Sequence, residues 1–301
     1  MPRRPYIDFM GNRKWLFLLS GILLTVSIAA IAIRGLNFSI EFKGGTVMSL
    51  APKAGLTEAQ VTDALKRAGV SDAVVQTEQG GAFLVRSTQS DTARANQEYQ
   101  AVTHELGILA AGGNVSTIGP GWGANVTNAA ELALALSIAA ILVYISLRFE
   151  YKMSVTAVLA LVHDVTITLG IYALVGREVS PNTIAALLTI LGYSLYDTIV
   201  VFHRIRENSQ RIVKQTFMQM ANDSINQVLM RWINTGLSSI IPVVVLFAFG
   251  GDTLKDFAFA LIVGLVSGAY SSVAIASPLY AMWKEREPKF QALKKKYATA
   301  S

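Results

Sequence analysis

The feature that most restricts how this chain can fold is a series of long apolar blocks. Residues 15–33 read WLFLLSGILLTVSIAAIAI, nineteen positions without a charge. A helix rises 1.5 Å per residue, so about 20 apolar residues match the ~30 Å hydrocarbon core of a bilayer. Further blocks follow at about 129–147, 154–175, 183–202, 233–249 and 257–283. Of the 301 residues, 52% are hydrophobic and 15% charged, where an ordinary soluble domain carries roughly a quarter charged. Because the apolar residues are grouped, the excess reads as membrane spans and not as one large core. The first block has an alternative, a cleaved signal peptide ending at Ala30-Ile31-Ala32. Apolar regions of signals run to about 15 residues, and this one is longer, which favours an anchor.

Six spans place both termini on one side. Segment 1–14, the link at 148–152, the 203–231 segment and the tail 284–301 hold Arg3, Arg4, Arg13, Lys14, Arg148, Lys152, Arg204, Arg206, Arg211, Lys214, Arg231, Lys284, Arg286, Lys289 and Lys294 to Lys296. These are 17 of the 26 Lys and Arg. The outer loops GREVSPN and GGDTLKD hold one each, Arg177 and Lys255. The positive-inside rule therefore predicts cytoplasmic termini. The net charge of +6 reads as topology, and the KKK run as a juxtamembrane contact with anionic lipid instead of a nucleic-acid patch. Between Arg204 and Trp232, apolar residues recur at helical steps, predicting an amphipathic helix on the inner face or on a partner.

The only long polar region, 34–127, lies between the first two spans. Strand patterns at 46–51, 73–77, 82–87 and 115–118 alternate with two helices. The first is opened by Thr57 with Gln60 at capping-box spacing, the second is capped by Asp91 and runs to about Leu109, and Gly80-Gly81 turns the middle hairpin. The order βαββαβ predicts a ferredoxin-like extracytoplasmic domain. The predicted fold class is thus an α-helical polytopic membrane protein, its spans covering 15–33 and 128–283, with a small α+β domain.

Cysteine is absent, and His104, His163 and His203 are dispersed, so no thiolate or zinc-type cluster is available. With no nucleophile–base pair either, neither an enzyme nor a metal or other cofactor is expected. The chemistry sits in a few intramembrane ionisable groups: Glu131 at a span edge, His163 and Asp164 in the third span, and Asp197 in the fourth. Such a group costs about 2.5–3.5 kcal/mol at a span centre and so faces protein or water. Asp164 lies roughly 15 Å from the inner end of its span and Asp197 roughly 8 Å. Gly192, Ser194 and Thr198 around Asp197 permit close helix approach. Arg231 can approach Asp197 if the fourth and fifth spans are neighbours. A carboxylate exposed to a moving arginine has a switchable proton affinity. The alternative, an acid merely hydrogen-bonded to a neighbouring helix, stays open for Asp164 and Asp197. In the last span, Gly264 and Gly268 form a GxxxG spacing suited to close packing.

Several segments in order resemble the SecD/SecF family of protein-export membrane proteins, within the RND-like superfamily. They are FSIEFKGGT, IGPGWG, LRFEYK, LVHDVTITLGIYALVGRE, IAALLTILGYSLYDTIVVFHRIREN and SINQVLMR. The resemblance is to the SecF branch, and it implies an accessory of the Sec translocon in the bacterial inner membrane. Its partners would be SecD, SecYEG, SecA and preproteins on the outer side, with the proton-motive force as energy source and Na+ as an alternative ion. It also implies that the coupling Asp and Arg fall on Asp197 and Arg231. His163 and Asp164 match the family's HD pair, and Glu41, Phe42, Gly44, Gly45, Gly119, Pro120 and Gly123 match its structural motifs. Three departures stand out: Glu41 for an Asp, Tyr196 for an Asn before Asp197, and His203 for an Asp beside Arg204. His203 adds a group titrating near neutrality at the inner end of the span. A stand-alone RND-type small-molecule transporter and a passive scaffold are the competing readings; six spans are half of the usual twelve-span transporter unit.

Overall fold

The computed structural model describes residues 6–77, 81–212 and 214–297. Arg3, Arg4 and Gly80 of the sequence reading lie outside them. The chain divides into two compact units, one of residues 38–132 and one of residues 1–37 and 133–301. The elements run α1 (Arg13–Arg34), β1 (Asn37–Phe38), α2 (Ile40–Lys43), β2 (Gly45–Leu50), α3 (Glu58–Arg67), β3 (Val74–Thr77), β4 (Phe83–Ser87), α4 (Thr92–Leu106), β5 (Asn114–Ile118) and α5 (Pro120–Arg148). Then come α6 (Tyr151–Val175), β6 (Glu178–Val179), α7 (Pro181–Ser209), α8 (Phe217–Phe249), α9 (Gly251–Ser271), a π-helical segment Ser272–Ala276, α10 (Ser277–Lys284) and α11 (Pro288–Tyr297).

In the smaller unit, β3-β4-β2-β5 form one antiparallel sheet. Alternation along β4 buries Phe83, Val85 and Ser87, and Met48 and Leu50 of β2 join them on the covered face. Helices α3 and α4 close that face with Val61, Leu65, Tyr99 and Val102. Both helices start where a side chain satisfies the orphan N–H groups of the first turn. Thr57 and Gln60 make the reciprocal capping box, and Asp91 accepts from the Arg94 N–H at 2.8 Å. Helix α4 stops at Leu106, earlier than expected, because Gly107 adopts φ +61 and turns the chain out of the helix. The GG pair opens β2: Gly45 has φ +125, and a Cβ there would meet the Ser87 carbonyl at 2.4 Å. Only glycine fits that position.

Among the described residues, six helices are long and apolar enough to cross a membrane. In the larger unit α6, α7 and α9 are the most enclosed, with half or more of their apolar windows buried, whereas none of the α8 window is. Close packing rests on small residues: a Cβ on Gly268 would lie 2.7 Å from Ser194 Cβ, and one on Gly264 2.2 Å from Ile190. The expected GxxxG contact thus joins α9 to α7. Gly192 does not take part; it is exposed and a Cβ there would meet nothing.

The amphipathic stretch is also placed differently from the sequence reading. It is not one helix lying on a surface. It is the end of α7, a turn, and the first turns of α8, which continues unbroken into the span. Its apolar residues Ile205, Phe217, Met220, Ile225 and Val228 are buried against Phe202, Tyr280 and Phe290. Helical periodicity shows that a face is covered without showing by what, and here the chain covers it itself. At this end of the bundle the Asn222 carboxamide accepts from the Phe9 N–H at 2.8 Å, and Arg206 donates to the Arg148 carbonyl at 2.9 Å. Lys152 and Lys284 both bind Glu287, at 2.7 and 2.9 Å. At the opposite end Arg177 pairs with Asp256 at 2.5 Å.

Candidate functional site: two intramembrane carboxyl groups

Asp164 and Asp197 are both buried, at 0% and 2% exposure, yet their surroundings are opposite. Asp164 on α6 accepts hydrogen bonds from Ser194 of α7 at 2.7 Å, Ser267 of α9 at 2.7 Å and Ser271 of α9 at 2.8 Å. His163 Nδ1 lies 3.1 Å from Asp164 Oδ1. The His163 ring stacks on Tyr270 with centroids 6.3 Å apart, and the Tyr270 hydroxyl donates to the Leu16 carbonyl at 2.8 Å. One carboxyl group therefore ties α6, α7 and α9 together, and through Tyr270 reaches α1. Three hydroxyl donors supply what the bilayer core denies a buried polar group.

Asp197 lies on the buried stripe of α7, which also contains Ile190, Ser194, Val201 and Ile205. The Ser180–Thr183 capping box and Pro181 start that helix and thereby set which residues form the stripe. Its neighbour Thr198 is 2.9 Å from Ser272 Oγ and donates to the Ser194 carbonyl at 3.1 Å. Asp197 Oδ2, by contrast, is buried without a hydrogen-bond partner. No ion pair joins it to Arg231 among the described residues. Arg231 is exposed and lines a cavity of about 450 Å³ with His203, Arg204, Gln227 and Val228.

The helix register nevertheless sets the two at one level. Spans α7 and α8 run antiparallel, and the Tyr193 hydroxyl donates to the Thr235 carbonyl at 2.9 Å. One turn further along α7 from that contact lies Asp197, and one turn earlier on α8 lies Arg231. Beyond them, towards the end of α7, Arg204 donates to Gln227 at 2.5 Å and Asn208 to Ser224 at 2.8 Å, keeping the same alignment. The structure thus places Arg231 at the acid's level, where it lines the cavity.

The remaining sequence-derived positions are structural or exposed. Glu41 and Phe42 form a single turn before Gly44 and Gly45, and no side-chain hydrogen bond holds Glu41 among the described residues. A Cβ on Gly123 would lie 2.4 Å from the Phe42 carbonyl, so the IGPGWG segment packs directly on that turn. Pro120 is the first residue of α5, while Gly119 faces open space. Tyr196 is 55% exposed, on the same outward face as Gly192. His203 is exposed, and Arg204 beside it pairs with Glu207 at 2.6 Å in place of a neighbouring acid. Sequence reasoning missed Ser267 and Ser271 as partners of Asp164. Their i, i+4 spacing beside Gly264 and Gly268 was the available signal.

Among the described residues, six membrane-length helices with two buried acids, and a small α/β unit between the first two, define a polytopic membrane protein organised around intramembrane carboxyl groups. The chain belongs to the SecD/SecF protein-export family. The family model "Protein export membrane protein SecD/SecF, C-terminal" matches residues 99–286, and "SecD/SecF GG Motif" matches residues 29–53. The protein translocase subunit SecF of Streptomyces coelicolor is 40% identical over 96% of this chain and 80% of its own length. That of Alicyclobacillus acidocaldarius is 36% identical over 95% and 96% respectively. The crystal structure of SecDF from Thermus thermophilus, described as a translocon-associated membrane protein, superposes with a TM-score of 0.86 at 34% identity. It covers 94% of this chain, which spans 39% of that longer one.

Proposed function

We propose that the chain is the SecF-type subunit of the Sec protein translocase, working with a SecD partner to promote preprotein movement across the bacterial inner membrane. It acts as a non-enzymatic accessory of SecYEG and SecA, with both termini cytoplasmic and the smaller unit, a ferredoxin-like domain, on the outer side. The βαββαβ order and the β3-β4-β2-β5 sheet support that domain assignment. The gathering of Arg148, Lys152, Arg206 and Lys284 at one end of the bundle supports the orientation.

The energy source is the transmembrane proton gradient. The single observation that carries this reading is the unpartnered Asp197 Oδ2, level with an arginine that is not bonded to it. A buried carboxylate oxygen without a partner is costly while charged. A proton removes that cost, and so does an approaching guanidinium, so the two exclude each other at one site. Loading and release of the proton then select between two positions of α8 relative to α7. That alternation is the requirement for turning ion flow into movement of an outer domain.

The test is Asp197→Asn, co-expressed with SecD. Insertion and SecD association persist, while the proton-dependent stimulation of preprotein export is lost. Undiminished stimulation overturns the assignment. Export in vesicles with separately imposed proton and sodium gradients distinguishes H+ from Na+.

A further inference from the structure

At the end of the bundle where the first span begins and the last one ends, a cavity of about 350 Å³ lies between α1, α8, α10 and α11. Four cations line it: Arg13, Arg286, Lys294 and Lys295. Its one carboxylate, Glu285, is already held by Lys294 at 2.8 Å. Arg13 donates to the Met10 carbonyl at 2.7 Å, and none of Arg13, Arg286 and Lys295 forms an ion pair among the described residues. Met218 and Met282 supply an apolar wall. Arg13 and Arg286 come from opposite ends of the chain, so folding, and not a local run of lysines, assembles this charge. Like charges brought together repel unless an anion joins them.

One further feature points to the same chemistry. Trp15, 72% exposed, follows Arg13 within two residues and marks the headgroup level on α1. The cavity therefore opens at the depth of a phospholipid phosphate, with cations for the phosphate and methionines for the adjoining glycerol and acyl carbons. A basic pocket between spans on the inner side is the chemistry that recognises anionic headgroups.

We propose that this cavity is a specific binding site for one anionic phospholipid, whose phosphate is held by Arg13 and Arg286 with Lys295. The site is separate from the Asp197 region and does not depend on the coupling role assigned there. Occupancy would tether the first and last spans to each other through a single lipid molecule.

The test uses the full chain purified from nanodiscs of phosphatidylglycerol or of phosphatidylcholine, with retained lipid counted by native mass spectrometry. One phosphatidylglycerol is expected to remain bound and phosphatidylcholine to be lost. Arg286→Gln, at an exposed side chain without a partner, is expected to weaken retention about fivefold, and Arg13→Gln/Arg286→Gln to do so more strongly. Lys289→Gln/Lys296→Gln, on the same helix but outside the cavity, leaves retention unchanged. Equal loss from the control pair shows diffuse surface attraction, equal retention of phosphatidylcholine shows an apolar site, and displacement by inorganic phosphate at low millimolar concentration shows a free-phosphate site. Each of these three results overturns the proposal.

Discussion

The Tyr193 hydroxyl donates to the main-chain carbonyl of Thr235 at 2.9 Å, and with it α7 and α8 are held in antiparallel register. Asp197 lies one turn further along α7 and Arg231 one turn earlier on α8, at one depth yet unbonded. Because the chain contains no cysteine, this register is directly testable. Tyr193→Cys/Thr235→Cys is expected to be bridged by a short bis-maleimide in membranes. Thr189→Cys/Thr235→Cys, one turn away, gives much less product. Equal yields from the two pairs would show that the helices have no preferred alignment.

Asp164 is expected to be a stability residue first. Asp164→Ala removes the acceptor of three serine hydroxyls in the bilayer core; Ser271 keeps the Gly268 carbonyl at 3.2 Å, while the stranded donors of Ser194 and Ser267 cost about 1–3 kcal/mol each. Ser271→Ala removes one hydrogen bond and costs about 1 kcal/mol. Thermal unfolding in detergent should rank Asp164→Ala well below Ser271→Ala, with the wild type highest. Equal melting of all three would refute the knot.

The two glycines flanking the α7–α9 region separate close approach from mere smallness. Gly268→Ala puts a Cβ 2.7 Å from Ser194 Cβ and is expected to cost about 1–3 kcal/mol. At Gly192 the added Cβ meets nothing, and the helix gains up to about 1 kcal/mol from the lost glycine. The measurement is again the unfolding midpoint, with the two substitutions moving it in opposite directions.

In the small unit, hydrogen bonds from the Thr88 hydroxyl and the Thr88 N–H, the latter at 2.8 Å, hold the Asp72 carboxyl below its ordinary value of 3.8. A carboxyl depressed in the folded state stabilises fully above the unfolded value and loses that contribution as the pH falls through the folded one. Protection factors for amide exchange across residues 83–88 should therefore fall on acidification below about pH 3.8. Thr88→Val should flatten that dependence, and an unchanged acid profile in the variant would count against the bond.

The linear order of residues decided what had to cross the membrane. Nineteen uncharged positions at 15–33, and five comparable blocks, leave the backbone no alternative to helices, because lipid offers no hydrogen-bond partners. Capping residues such as Thr57 and Asp91 were legible for the same local reason: their side chains satisfy N–H groups three residues away. The two buried acids were visible as anomalies of composition, and the resemblance to the family's motifs pointed to Asp197 among them, with Arg231 as its counterpart. What each acid faces was decided only in three dimensions. Asp164 and its serines are up to 107 positions apart in the chain. Whether Asp197 meets a donor depends on rotations of α7 and α8 that no periodicity contains. Likewise, the stripe from Arg204 to Trp232 announced a covered face, but only packing against Phe202, Tyr280 and Phe290 showed that the chain covers it itself. Periodicity is a property of one helix, whereas a partner is a property of two, and that is where the sequence stops and the tertiary structure begins.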